Sequence, residues 1–396
     1  MSTRAIYAYA WDIEETGVDA AVAAFKTLTL NTVTIAGSYH AGKFLRPHGE
    51  KGKVYFPQDG TVYFEPRADR YGRIKPVRNA MLDRDDIVAR LAARTDIATN
   101  VWLVLLHNTL LGTTYPDATV ENAFGDRYVY SLCPSHPDAR AYGIGLARDA
   151  ADRAGVTGLS IESPGFAPYA HGFHHEFALN KPNRWLENQL GLCFCDHCRD
   201  RFHKATGETI EPLRKRVAAD ITAYLGGDLD FPDDMAEAFW MADTRTDGEM
   251  KAFLDWRCTV VTSLVAEIRN AVSREKTVAI IPSVARPTAG AWYEGSDLKA
   301  LADAAGTIEA CFYENSATRI AADAFDVKRR LGGVGRLRGI LRPAWPDLES
   351  SNDLLEALHA LRRLGIEDVA FYNWGHLRRR NLRWIADAFD LLESLR

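Results

Sequence analysis

The chain has 396 residues, 47% of them hydrophobic and 26% charged, with a formal net charge of −5. That is globular composition with enough apolar material for a sizeable core. Lys and Arg gather only in short runs such as Arg378-Arg379-Arg380, which excludes nucleic acid and an anionic membrane surface as expected partners. No run approaches the ~18 apolar residues of a membrane span, and the start MSTRAIYAYAWD lacks the apolar region and cleavage site of a signal peptide. Six cysteines in a chain this long do not read as a secreted disulfide framework. The expectation is a cytoplasmic protein, and the reading is compatible with a homo-oligomer.

In chain order, residues 4–11 (RAIYAYAW) form the first strand candidate and 18–28 the first helical pattern. Strand 32–37 (TVTIAG) is followed by an excursion, 38–82, whose alternating KVYFPQDGTVYFEP suggests a small hairpin, and then by helix 83–95. Strand 100–106 (NVWLVLL) leads to helix 137–154, which opens on Ser135-His136-Pro137. Strand 157–162 (TGLSIE) precedes a second excursion, 163–245, expected to hold a cysteine motif and one or two extra helices, before helix 246–273. The rest alternates regularly: strands 277–282, 307–313, 337–342 and 367–373, with helices 297–305, 318–331, 351–364 and 378–395.

Eight strands, each followed by a helix and most apolar on both faces, predict an α/β fold of the closed (β/α)8 TIM-barrel kind. A doubly wound open sheet is the alternative, disfavoured because no glycine-rich phosphate loop follows the first strand. The reading is a single catalytic barrel over 1–396, with loop excursions 38–82 and 163–245. Long loops after strands build the functional face of such barrels.

Residues just past each strand therefore become candidates. They are Trp11 and Asp12 after strand 1; Tyr39, His40 and Lys43 after strand 2; His107 and Asn108 after strand 3. Strand 4 ends in Glu162, strand 5 is followed by Trp292, Tyr293 and Glu294, and strand 6 by Tyr313 and Glu314. Strand 7 leads to Trp345 and Asp347, strand 8 to Asn373, Trp374 and His376. Acids and amides take hydrogen bonds from hydroxyls, and flat aromatics stack on the apolar faces of pyranose rings, so the inventory points to a carbohydrate substrate. Glycosidic bonds are usually broken by two carboxyl groups flanking the scissile oxygen. Glu162, in GLSIESPG, and Glu314, in ACFYENS, each close an apolar strand run and form the expected catalytic pair. Asp347 and Glu294 lie further into their loops and rank below them. The run HGFHHEF adds His171, His174 and His175, expected to contact substrate.

Cys193, Cys195 and Cys198 form a C-x-C-x-x-C cluster that can share one tetrahedral zinc with a fourth ligand. Cys133 is the favoured fourth; His197 and His203 are alternatives. A closed four-ligand site of this kind is structural, and no organic cofactor is expected.

A glutamate ending strand 4, followed by a long loop with CFCDHCRDRF, resembles family-42 β-galactosidases and related clan A glycoside hydrolases over roughly residues 130–205. The resemblance implies Glu162 as general acid/base, and Cys193, Cys195 and Cys198 with the earlier Cys133 as ligands of structural zinc. Two positions depart from it: Ile161 stands where those enzymes usually have Asn, and strand 7 ends RPAWPD, with Asp347 where they carry a glutamate nucleophile. Glu314 on strand 6 resembles the clan D α-galactosidases, whose nucleophile is on strand 4 and acid/base on strand 6. The two resemblances give Glu162 opposite roles, so the pair is expected and the roles stay open. Two other readings stand beside hydrolysis. One is a metal-dependent sugar isomerase, epimerase or lyase using His107, Glu162, His174 and Glu314; the other is a carbohydrate-binding barrel without chemistry.

Overall fold

The computed structural model describes residues 2–173, 178–283 and 289–394. Eight parallel strands close on themselves: β1 (Arg4–Ala8), β2 (Thr32–Tyr39), β3 (Ala98–Val104), β4 (Val156–Glu162), β5 (Thr277–Ile281), β6 (Gly306–Cys311), β7 (Arg336–Leu341) and β8 (Asp368–Phe371). Neighbours in sequence are neighbours in space, and β1 completes the ring by pairing with both β2 and β8 (Ala5 opposite Thr32 and Ala370). Each strand is followed by an outer helix: α1 (Val18–Thr27), α2 (Ile87–Ala92), α3 (Pro137–Ala151), α4 (Gly248–Ala271), α5 (Leu298–Ala305), α6 (Ala317–Leu331), α7 (Ser351–Arg363) and α8 (Arg379–Ser394). This is the (β/α)8 barrel read from the strand pattern.

The helices dock by amphipathic stripes. In α7, Leu354, Ala357, Leu358 and Leu361 recur at helical spacing and are buried. Its start is fixed by a capping box in which Ser350 accepts from the Asp353 N–H and the Asp353 carboxylate accepts from the Ser350 N–H. Inside the ring, Glu309 of β6 accepts from the Ser160 hydroxyl of β4 (2.7 Å) and from Arg338 of β7 (3.0 Å). This ion pair is buried but fully hydrogen-bonded on its carboxylate, the condition under which a barrel interior tolerates charge. It forms the floor beneath the mouth.

Three features differ from the sequence reading. The first strand stops at Ala8, and Ala10–Thr16 is a short helix ended by Gly17 at φ 84°; the run YAYAW (7–11) reads as one strand because the chain stays buried from Ala5 through Ile13, across the strand end and into the helix. The excursion after β3, unremarked in the sequence, carries a hairpin of Thr119–Glu121 with Arg127–Leu132. Among its described residues the segment 163–245 contains four helices (Arg184–Leu190, Asp196–Thr206, Glu211–Leu225, Asp233–Thr246) where one or two are expected. A hairpin does lie in 38–82, but it pairs Phe44–Leu45 with Val54–Tyr55, while Thr61–Val62, the second run of KVYFPQDGTVYFEP, pairs with β2 instead. Among the described residues no helix is long and apolar enough to cross a membrane.

Candidate active site

At the C-terminal ends of the strands lies a cavity of about 460 Å³. Glu162, the last residue of β4, points into it because Ser160 and Glu162 share the inward face of their strand. The indole N–H of Trp102, whose backbone is in register with Ser160, donates to Glu162 Oε2 at 2.8 Å. Ser163, the next residue, sits at φ 55°, a left-handed turn uncommon for a side-chain-bearing residue and of the kind that gathers at functional sites. Burial raises the Glu162 carboxyl to about 7, the Trp102 hydrogen bond opposing the shift.

The walls are aromatic. Tyr9 lies behind Tyr39 and Tyr372 and joins them by hydroxyl contacts of 3.0 and 2.7 Å. Across the cavity Arg342 stacks over Tyr313 at 4.0 Å, and Asp347 grips that guanidinium through both oxygens (2.5 and 3.0 Å). Glu314 lines the same cavity, its carboxylate paired with Arg319 in the first turn of α6.

The sequence candidates thus divide. Glu162, Glu314, Tyr39, His40 and Tyr313 line the cavity. His107 sits one layer behind, its ring 4.6 Å from His40 and 5.4 Å from His171, of which the last two reach the cavity. Asp347 is a buried anchor for Arg342 and not a lining residue. The other described candidates lie outside this lining. Trp11 is core, stacked on Tyr9 and Tyr55 at 4.3 and 4.9 Å. Asp12 pairs with Arg46 at 2.6 Å on a separate hollow of about 490 Å³ between α1 and α8. Trp374 faces that hollow too, stacked on His48 at 5.4 Å. Asn108 caps the short helix Thr109–Thr114, accepting from the Leu111 N–H at 2.9 Å. Asn373 is fully buried and accepts from the Gly375 N–H at 3.0 Å. Lys43 is exposed outside the cavity lining, and Trp292 packs half-buried against the core. His174 and His175 lie outside the described residues.

Sequence reasoning missed Trp102, Arg342 and Tyr372 as lining residues. Trp102 sits mid-strand, where an aromatic reads as packing. Arg342 and Tyr372 stand at strand ends beside residues that drew the attention instead.

A second cluster lies outside the mouth. Cys133, Cys193, Cys195 and Cys198 are buried with all four sulfurs within 4.8 Å of one another. Cys133 stands 3.8, 3.7 and 3.5 Å from the other three. Four sulfurs at ~2.3 Å from a tetrahedral zinc lie ~3.8 Å apart, so the quartet fits such an ion. Backbone N–H groups of Glu121 and Ser135 point at Cys193 and Cys133 (3.5 and 3.4 Å), the outer support that thiolate ligands take. Cys133 supplies the fourth sulfur. His197 instead packs edge-on against His136 at 4.2 Å, and His203 bonds the Glu208 carbonyl. Among the described residues this is the group whose donor atoms converge. The cysteines are free of disulfides.

The chain is therefore an α/β barrel with an acid of raised pKa at its mouth. No protein-family model matches it, and neither does any curated protein. Among solved structures, it superposes on the PgaB (BpsB) glycoside hydrolase domain from Bordetella bronchiseptica with a TM-score of 0.59 at 14% identity, covering 98% of this chain and 99% of that one. A looser superposition joins it to the C-terminal domain of a putative chitinase from Desulfitobacterium hafniense (TM-score 0.43, 8% identity, 98% and 99% coverage). Another joins it to an endo-1,4-β-D-mannanase from Thermotoga petrophila (0.36, 10%, 99% and 100%). At 14% identity the likeness to the Bordetella domain is one of fold.

Proposed function

We propose that the chain is a glycoside hydrolase acting on an oligosaccharide or small glycoside, with Glu162 and Glu314 as its carboxyl pair. The observation that carries this is one cavity lined by both carboxyl groups and walled by Tyr39, Trp102, Tyr313 and Tyr372. Glu162, raised to about 7, holds a proton near neutrality and serves as general acid to the departing oxygen. Glu314, its carboxylate paired with Arg319, is the partner that attacks the anomeric carbon or activates water. The glycoside hydrolase domain from Bordetella, matched over nearly its whole length, supports the reading by analogy of fold.

We further propose that the cysteine quartet binds a structural zinc, and that the chain works in a reducing, cytoplasmic compartment where such thiolates persist. The test of the hydrolase reading is turnover of a panel of nitrophenyl glycosides and defined oligosaccharides by the native protein, Glu162→Gln and Glu314→Gln. Both variants should fold and lose most of kcat. Near-native rates in both overturn the assignment.

A further inference from the structure

Behind Glu162 the mouth narrows to a recess of about 10 Å³ lined by Glu162, Pro168, His171, Ser283 and Glu294, the room of about one water molecule. Glu294 belongs to the loop after β5, and its arrival there is built into the backbone. The Phe166 N–H, in the loop after β4, donates to the Glu294 carbonyl at 3.0 Å. Gly165 permits that approach, since a Cβ on it would stand 2.3 Å from the same oxygen. The Ser283 hydroxyl then donates to Glu294 Oε1 at 2.6 Å. The two loops are zipped together, and two carboxyl side chains share one recess.

Among the described residues, few other charges face the pair. From α4 comes Arg257, fully buried, its guanidinium 4.4 Å from the Phe166 ring and 5.0 Å from the Tyr293 ring. Arg184 acts from the helix Arg184–Leu190, and His171 stands exposed on the β4 loop. Both arginines pull Glu294 down, but burial outweighs them. With a smaller push from the Glu162 charge, it raises Glu294 to about 8. On the cavity side Glu162 faces Trp102 and the hydroxyls of Tyr39 and Tyr372 and the thiol of Cys311, which feel its charge.

We propose that Glu294 is the proton partner of Glu162, a positioning residue that restores the acid after each cleavage. This rests on the hydrolase reading. When the Glu162 O–H bond breaks and its proton goes to the departing sugar oxygen, Glu162 is left as a carboxylate. A water in the recess gives one proton to Glu162 and takes one from Glu294. The net change is one proton moved between two carboxyl groups, and Glu294 regains its own from solvent. The arrangement holds one proton on the dyad up to about pH 8, above the range in which Glu162 alone retains it.

The experiment is an infrared pH titration of the protonated-carboxyl band of the whole protein, in an Asp12→Asn background because Asp12 also titrates near 6. The parent should lose two protons between about pH 6 and 9. Glu294→Gln should lose one, centred near 7. Glu162→Gln should leave one below the parent's upper midpoint, since the repelling charge is gone. Should Glu294→Gln fold poorly, Ser283→Ala, which removes a hydrogen bond to the ionised form, should move the upper midpoint higher. In turnover of a nitrophenyl glycoside, Glu294→Gln should lower kcat while the basic limb of kcat/KM stays near 7, where Glu162 itself titrates. A survivor in Glu162→Gln that titrates at the parent's upper midpoint, or a kcat in Glu294→Gln equal to the parent's, overturns the dyad. Coupled titration together with an active Glu162→Gln leaves the dyad standing and overturns the hydrolase reading instead.

Discussion

The mouth cavity and the hollow between α1 and α8 are alike in size, about 460 and 490 Å³. Each holds a buried acid, Glu162 at the end of β4 and Asp12 past the end of β1, and burial raises both, Glu162 to about 7 and Asp12 to about 6. They differ in what faces the carboxylate. Arg46 lies 2.6 Å from Asp12 and also holds Glu15 at 2.6 Å, so that acid is a member of an ion network. Glu162 meets a neutral indole N–H at 2.8 Å. A neutral donor fixes orientation while doing less than a guanidinium to stabilise the charge, and the carboxyl keeps a proton it can deliver. Volume and burial do not tell these two acids apart; the partner does.

The sharpest way to break this contrast is to neutralise each acid in turn. Glu162→Gln should lower kcat by about 10³-fold with the fold intact, the scale of a lost general acid. Asp12→Asn should leave kcat unchanged and cost stability instead, ~1–3 kcal/mol for the broken charge-assisted bond. Steady-state kinetics and chemical denaturation of both variants check the pair. Equal losses of kcat would erase the distinction.

A second prediction sets the mouth against the cysteine quartet. Elemental analysis should find about one zinc per chain. Cys198→Ala should release it and unfold the protein several kcal/mol more easily, because metal binding is linked to local folding. The damage should show in thermal melts before it shows in the chemistry of the remaining folded molecules. Active protein with four freely titrating thiols refutes the site.

The third sharpens the account of Glu162 through pH. Its folded value, about 7, stands above the ordinary glutamate value of 4.5. The folded state therefore favours the protonated form. The corresponding stability is fully present below the unfolded value and is lost as pH rises through 7. Glu162→Gln escapes that loss, so the inactive variant should be more stable than the native protein at pH 8, by up to ~3 kcal/mol at ~1.4 kcal/mol per unit. At pH 4 the two should coincide. Denaturant melts at both values decide it.

The smallest effect concerns a candidate that the structure moves out of the site. Asn108→Ala should cost about 1 kcal/mol as a lost helix cap and leave KM and kcat alone. A changed KM would return Asn108 to the substrate surface.

The barrel was legible because each strand–helix unit repeats the same burial problem, and the strands covered by helices on one side and core on the other write it as apolar runs. Glu162 was legible for the converse reason: an acid closing the run GLSI has no packing role to explain it. The errors share one cause. Position after a strand fixes where a residue begins and says little of where its side chain ends. Asp12, Asn108 and Asn373 are claimed by an arginine or by backbone N–H groups, partners that only the folded chain brings near. Trp102 was hidden in the opposite sense, since an indole that hydrogen-bonds a carboxylate looks in sequence like one that packs. Glu294 was ranked low as a loop acid; what brings it to Glu162 is a hydrogen bond between two loops over a hundred residues apart in the chain.

The quartet joins Cys133, at the end of the hairpin strand Arg127–Leu132, to a motif 60 residues further on, and the Phe194 N–H donates to Glu121 at 2.7 Å beside it. Two insertions that leave the barrel from different strands are thus stitched at one point. Their stems are held whatever happens between them, and closing a loop between fixed stems costs little more as it lengthens. The stretch from Ser163 to Leu192 is in that sense a replaceable panel in a rigid frame. Such a frame would let one scaffold change the reach and shape of its entrance by exchanging a single segment while the acid at its base stays in place.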